Sequence, residues 1–194
     1  MLDAVLDTPA IFMSFRYLLV GQQKKTRELL RRHLATGPSG RVLDVCCGLG
    51  QFANETDGDY LGIDLTSRYV TSATRRWAGD ARKSFRVMDA LKLELPDKSF
   101  DKSLCVAALH HFPDDLAAQV LGEMRRVTRD SVVIVDADGA PRNLLKRALV
   151  AADRGGHMRD QERLSALVAS CLPVTEVQRY RVGLYDFVML VCRT

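Results

Sequence analysis

The chain predicts an α/β fold: a doubly wound, mostly parallel sheet with helices on both faces. Three observations carry this. Short apolar runs at Val42–Val45, Tyr60–Ile63, Phe85–Met88, Ser103–Ala107 and Val132–Val135 alternate with helical patterns, as in a sheet wound by crossover helices. The first run breaks into a glycine-rich bend, Asp44-Val-Cys-Cys-Gly48-Leu-Gly50, the join at which such sheets approach a nucleotide-like ligand. The last two runs, Val174–Tyr180 and Leu184–Val191, are separated by only three residues, among which Val182-Gly183 suits a tight turn. They read as an antiparallel hairpin closing one edge.

Taken in order, the elements begin with an apolar stripe of Ile11, Phe12, Phe15, Leu18 and Leu19 on one helical face. It packs on the body of the domain or serves as a lid. Lys24, Lys25, Arg27, Arg31 and Arg32 share the next segment with Leu29, Leu30 and Leu34. This is a helix with a solvated basic face, the alternative being capture of a phosphate or acidic substrate. Most strands are nearly continuous in apolar character, as expected where both faces are covered. After the second strand, Thr66 or Ser67 is placed to cap a helix lined by Tyr69, Val70, Ala73 and Trp77. Asp114, following Pro113, is placed to cap another, with Leu116, Val120, Leu121, Met124 and Val127 as its buried stripe.

Length and composition bound the function. With 194 residues and 47% hydrophobic content, a single domain over residues 1–194 is expected. It divides into a helical segment (1–35), a ligand-binding core (40–137) and a substrate side with the closing hairpin (138–194). A net charge of +4 falls short of the concentrated basic footprint of a dedicated nucleic-acid binder, so no nucleic-acid partner is expected. The five cysteines, Cys46, Cys47, Cys105, Cys171 and Cys192, show neither zinc spacing nor a secreted disulfide framework. Reduced thiols in a cytoplasmic protein are the expectation. The opening Met-Leu-Asp-Ala lacks the basic start of a signal peptide. The stretch from Ala10 to Val20 contains Arg16 and falls short of the ~20 residues of a membrane span.

The chemistry gathers at the ends of the strands. Asp44 interrupts a buried run, where an unpaired carboxylate is costly. Asp64 ends the second strand, placed to accept the hydroxyls of a ribose. Gly48 and Gly50 with Ala53 satisfy G-x-G-x-x-A, so this pair of signals fits a nicotinamide site as well as a nucleoside site. Asp89-Ala90, after the third strand, separates them. A carboxylate there can accept from an exocyclic amine while the following N–H donates to a ring nitrogen, matching the edge of adenine.

The ordered set Val-Leu-Asp44-Val-Cys-Cys-Gly48-Leu-Gly50, Gly62-Ile-Asp64, Asp89-Ala…Leu-Pro…Ser-Phe-Asp101 and Leu109-His-His-Phe-Pro-Asp114 resembles the class I S-adenosylmethionine-dependent methyltransferases. Within them it is most similar to the small-molecule enzymes of the ubiquinone/menaquinone-biosynthesis type. The resemblance covers residues 40–137. It implies a Rossmann-like seven-stranded sheet in the order 3-2-1-4-5-7-6 with the last strand antiparallel. It also implies S-adenosyl-L-methionine as cofactor and S-adenosyl-L-homocysteine as product. By position, Asp44, Cys46 and Gly48 would hold the methionine part, Asp64 the ribose and Leu65 the adenine face. Asp89 and Ala90 would read the adenine edge, and Val106 would border the sulfonium. Cys46 departs from the family, which usually has glycine or alanine there.

For the reaction, His111 is the candidate base for a hydroxyl or enol acceptor; a histidine bonded into the framework is the competing reading for both His110 and His111. His157, Asp136, Asp138, Arg16, Tyr17 and Tyr185 are further candidates for the pocket. No metal site is expected, because Val106–Phe112 lacks the acids of a catechol-type magnesium site. The Asn/Asp-Pro-Pro-aromatic element of adenine-amino methylation and the paired glutamates of arginine methylation are also missing. A small-molecule acceptor follows, as a monomer or a homodimer. Two alternatives stay open: a binding-only relative that keeps the cofactor, and a nicotinamide-dependent oxidoreductase.

Overall fold

The computed structural model describes residues 23–139 and 156–194. The apolar stripe at residues 11–19, with Arg16 and Tyr17, lies outside the described residues. The strands are β1 (Arg41–Val45), β2 (Asp59–Asp64), β3 (Lys83–Val87), β4 (Phe100–Val106), β5 (Thr128–Ala137), β6 (Val174–Val182) and β7 (Tyr185–Arg193). They form one seven-stranded sheet in the order β3-β2-β1-β4-β5-β7-β6. The β1–β2, β1–β4, β2–β3 and β4–β5 pairs are parallel, and β7 runs antiparallel to β5 and β6. Val182 pairs with Tyr185. The hairpin turn is therefore Gly183-Leu184, one residue later than the sequence suggests, with Gly183 at φ 57° supplying the left-handed backbone a tight turn needs.

Alternation of side chains across the strands builds two cores. On one face Leu43, Val45, Leu61, Ile63, Cys105 and Ile134 pack beneath α3 (Asp114–Val127) and α4 (Gln161–Cys171). On the other, Val42, Leu104, Val133 and the aromatic residues of the hairpin pack with α1 (Lys24–Leu34). α2 (Ser67–Arg76) lies along β2 and β3. Central β1 is buried from Val42 to Val45, whereas β3, at the sheet edge, exposes Arg86 and Val87. No helix among the described residues is long and apolar enough to cross a membrane.

Three local expectations are corrected. The basic face of α1 is not simply solvated: Arg27 and Arg31 both pair with Glu55, whose side chain is fully buried. Those two charges neutralise a carboxylate that burial would otherwise make costly. Thr66 occupies the N-cap of α2, but its side chain makes no capping bond. Instead Asp64 Oδ1 accepts from Thr66 N at 2.9 Å. Asp114 is the first residue of α3 rather than its cap. Its carboxylate reaches Arg159 at 2.7 Å while still placing a negative charge at the helix N-terminus.

Candidate active site

Every residue of interest lies at the edge where the parallel strands end, the edge at which open α/β sheets bind ligands. The glycine bend after β1 is held by backbone. Cys47 N donates to Ile63 O at 2.8 Å, Gly50 N to Cys47 O at 3.0 Å, and the Trp77 indole to Gly50 O at 3.0 Å. Cys46, Gly48 and Gly50 all have positive φ, at 60°, 53° and 64°. A side chain added to Gly48 would point into open space, whereas one on Gly50 would meet the Phe85 ring at 2.6 Å. Gly48 therefore faces a groove, and Gly50 is needed for packing.

Asp64 joins the two halves of this groove. Its Oδ2 accepts from Gly48 N at 2.9 Å while Oδ1 accepts from Thr66 N. The carboxylate fixes the bend yet stays half-exposed at the strand end. Beside it Leu65 is 69% exposed, an apolar side chain offered to solvent where a flat ring can lie. Asp89 is exposed and holds its own turn through Leu91 N at 2.9 Å, and Ala90 and Val106 are buried. An open cradle at Gly48, an acid, an exposed apolar surface and a second acid suit the parts of an adenine nucleoside.

Asp44 lies under the bend rather than in it, 1% exposed. Its Oδ2 accepts the Tyr60 hydroxyl at 2.5 Å. Burial pushes its carboxyl up to about 7, opposed by the Tyr60 bond and reinforced by the charge on Asp64.

The other half of the edge is made of side chains. After β4 the chain turns at Ala107, φ 52°, into a short 3-10 turn, Leu109–His111. This directs His110 inward, 6% exposed, and leaves His111 exposed. The His110 ring Nδ1 lies 2.5 Å from Asp136 Oδ1, and the same carboxylate accepts His110 N at 2.9 Å through Oδ2. With both Asp136 oxygens accepting from His110, Nδ1 carries the imidazole proton in this pair. The His111 ring lies against the His110 ring, tilted by 43° with centroids 4.3 Å apart.

Arg159, 4% exposed, locks this turn. It donates to Leu109 O at 3.0 Å, Phe112 O at 2.8 Å and Asp114 Oδ1 at 2.8 Å. The flanking segment joins in, with His157 N donating to His110 O and Gly139 N to Arg159 O. The His157 residue itself is exposed. Asp138 is buried and paired with Arg179 at 2.5 Å, and Tyr185 belongs to the hairpin's aromatic cluster. Sequence reasoning offered His111 as the base; the structure leaves that residue exposed and buries His110 against Asp136. The burial of His110 and the role of Arg159 had no local signal, since both depend on partners from other elements.

Residues 42–131 match the family described as a methyltransferase domain. That match runs from β1 into β5 and so takes in the strand-end groove. The chain is 36% identical over 105 residues to a 2-methyl-6-phytyl-1,4-hydroquinone methyltransferase of Synechocystis, covering 52% of this chain and 32% of that one. It is 34% identical over 146 residues to a demethylmenaquinone methyltransferase of Roseiflexus, covering 72% and 57%. It therefore spans from about a third to little more than half of these relatives' length. The crystal structure of the YcgJ protein from Bacillus superposes with a TM-score of 0.74 at 18% identity, covering 88% of this chain and 98% of that one. That likeness reflects the shared fold.

Proposed function

We propose that this chain binds S-adenosylmethionine along the strand-end groove and transfers its methyl group to a small hydroxyl-bearing acceptor. The Asp44–Gly48 bend would hold the methionine part, and the Asp64 carboxylate the ribose hydroxyls. Leu65 would cover the adenine, Asp89 and Ala90 would read its edge, and Val106 would border the sulfonium. When bound, the cofactor supplies a methyl group already activated for in-line displacement. The protein's own work is then mainly alignment.

The observation that carries the acceptor class is the buried His110–Asp136 pair. A carboxylate that accepts from one imidazole nitrogen orients the ring and stabilises the imidazolium formed when a proton arrives. That arrangement suits removal of a hydroxyl proton as the nucleophile forms. For a phenol or hydroquinone the resulting negative charge is shared between oxygen and ring carbon, so one base serves methylation at either atom. The hydroquinone and menaquinone names of the relatives support this class.

The test is a methyl-transfer screen with radiolabelled cofactor against phenols, hydroquinones, aliphatic alcohols and amines. Turnover of hydroxyl-bearing acceptors is expected. Turnover confined to amines, which need no such base once neutral, would overturn the acceptor class. Failure to bind S-adenosylhomocysteine in calorimetry would overturn the cofactor reading.

A further inference from the structure

Two thiols meet beneath the groove. Cys105 on β4 sits opposite Val45 of β1 in the parallel ladder, which puts Cys46 one residue beyond it on the neighbouring strand. Strand neighbours lie ~4.8 Å apart, so this offset falls inside the roughly 4.4–6.8 Å Cα spacing that a disulfide spans. Ordinary alternation would send the Cys46 side chain to the opposite face of the sheet. The left-handed backbone at Cys46, φ 60°, breaks that alternation, and Cys46 packs against the same core cluster that holds Cys105. Both thiols are free. Cys105 is 1% exposed whereas Cys46 is half-buried at the bend.

From this juxtaposition we propose that Cys46 is an oxidative modification site, sensed by peroxide and resolved by Cys105, which switches off the groove. The Cys46 thiolate attacks one oxygen of hydrogen peroxide. The O–O bond breaks, and Cys46 becomes a sulfenic acid as one water leaves. The Cys105 sulfur then attacks the Cys46 sulfur, displacing the hydroxyl as a second water and losing its own proton. Overall two thiols and one peroxide give one disulfide and two waters. The order is set by access: contact with Cys46 and then burial hold Cys105 as the neutral thiol, so the half-buried partner reacts first. The new bond ties the bend to β4 and removes the thiol from the wall of the cradle, so the oxidised protein loses cofactor affinity. That last consequence rests on the cofactor reading above; the cross-link itself does not.

The experiment is graded peroxide treatment of the full chain, followed by intact mass, peptide mapping without reduction, and calorimetry with S-adenosylhomocysteine. A loss of 2 Da, a linked Cys46–Cys105 peptide and at least a tenfold weaker affinity, all reversed by dithiothreitol, are expected. In Cys105→Ala the sulfenic acid on Cys46 should persist and be trapped by dimedone. Cys46→Gly, which suits the backbone at that position, should not form the link. First oxidation at Cys171, the other half-buried thiol, or a bridge between Cys46 and Cys47 would overturn the proposal. A mapped Cys46–Cys105 bridge with unchanged affinity would overturn the switch. If the reduced protein also fails to bind, the cofactor reading fails while the peptide map still decides the cross-link.

Discussion

The two halves of the strand-end groove are built by different means. Around β1–β3 the groove is backbone: left-handed residues, amides and two strand-end acids, all within short stretches of their strands. Around β4 and β5 it is a side-chain assembly, His110 with Asp136 and Arg159 with the 3-10 turn, joined across 26 and about 50 residues. The backbone half suits a ligand that does not change. The side-chain half can be rebuilt for a new acceptor without disturbing the first. A substitution in one half should therefore leave the other's property intact, and the predictions run from the largest effect expected of that separation to the smallest.

His110→Gln removes the imidazole. With a hydroxyl acceptor turned over in the screen, kcat should fall on the order of 10²–10⁴-fold, with S-adenosylhomocysteine affinity within about twofold of wild type. Asp136→Asn should fall in the same direction and displace the pH-rate profile, because Asn leaves the imidazole without its ionised partner. Equal losses in kcat and cofactor affinity would show the halves to be coupled.

Asp44 tests the backbone half from beneath. Its carboxyl is raised from 3.8 to about 7 in the fold. Between about pH 4 and 7 the folded state therefore holds a proton that the unfolded chain has released. Stability from this group must fall as pH rises through that window and stay level above it. The span is roughly 4 kcal/mol. Asp57, Asp114 and Glu123 are lowered and act in the opposite direction, so the quantity to read is the difference between wild type and Asp44→Asn. Urea melts at pH 5 and 8 should show Asp44→Asn gaining on wild type at the higher pH. A pH-independent difference would mean that Asp44 is ionised throughout.

Asp64→Ala should weaken S-adenosylhomocysteine binding by more than roughly tenfold, the scale of a charge-assisted hydrogen bond. It also frees Gly48 N and Thr66 N, so a lower Tm is expected alongside. Calorimetry that returned an unchanged isotherm would remove Asp64 from the site.

Legibility divided along the same line. The strands and the bend were readable because each is a local pattern, while the strand order came through the family resemblance that those motifs carry. Strand ends were less so. β5 runs from Thr128 to Ala137, well beyond its apolar centre, because Thr128 and Ser131 pair with β4 across a register shift and Asp136 and Ala137 pair with β7, ladders that composition cannot reveal. The adjacent His110 and His111 look alike in sequence. The turn at Leu109–His111 and a carboxylate from β5 decide which one is buried. Arg159 lies in a segment without apolar periodicity, and only its three acceptors give it a role. The basic face of α1 looked solvated because its partner, Glu55, is an acid with no periodic signature, brought under the helix by the loop after the bend.

The smallest effect concerns Cys46, where the chain departs from the glycine or alanine of the family it resembles. In an ordinary strand or helix, alanine is more stable than glycine by roughly 0.5–1 kcal/mol, because glycine loses more backbone freedom on folding. At φ 60° the order should reverse, since a Cβ in the left-handed region costs about 1–2 kcal/mol. Cys46→Ala keeps that strain and loses the thiol's contact with Cys105; Cys46→Gly loses the same contact but releases the strain. The glycine variant should therefore melt above the alanine variant by about 2–4 °C, the Tm shift of about 1 kcal/mol in a chain of this size. Because the two variants differ only by a methyl group, the comparison isolates the backbone from the sulfur. Alanine melting above glycine would mean that the bend relaxes out of the left-handed region, and with it would go the geometry that turns Cys46 toward Cys105.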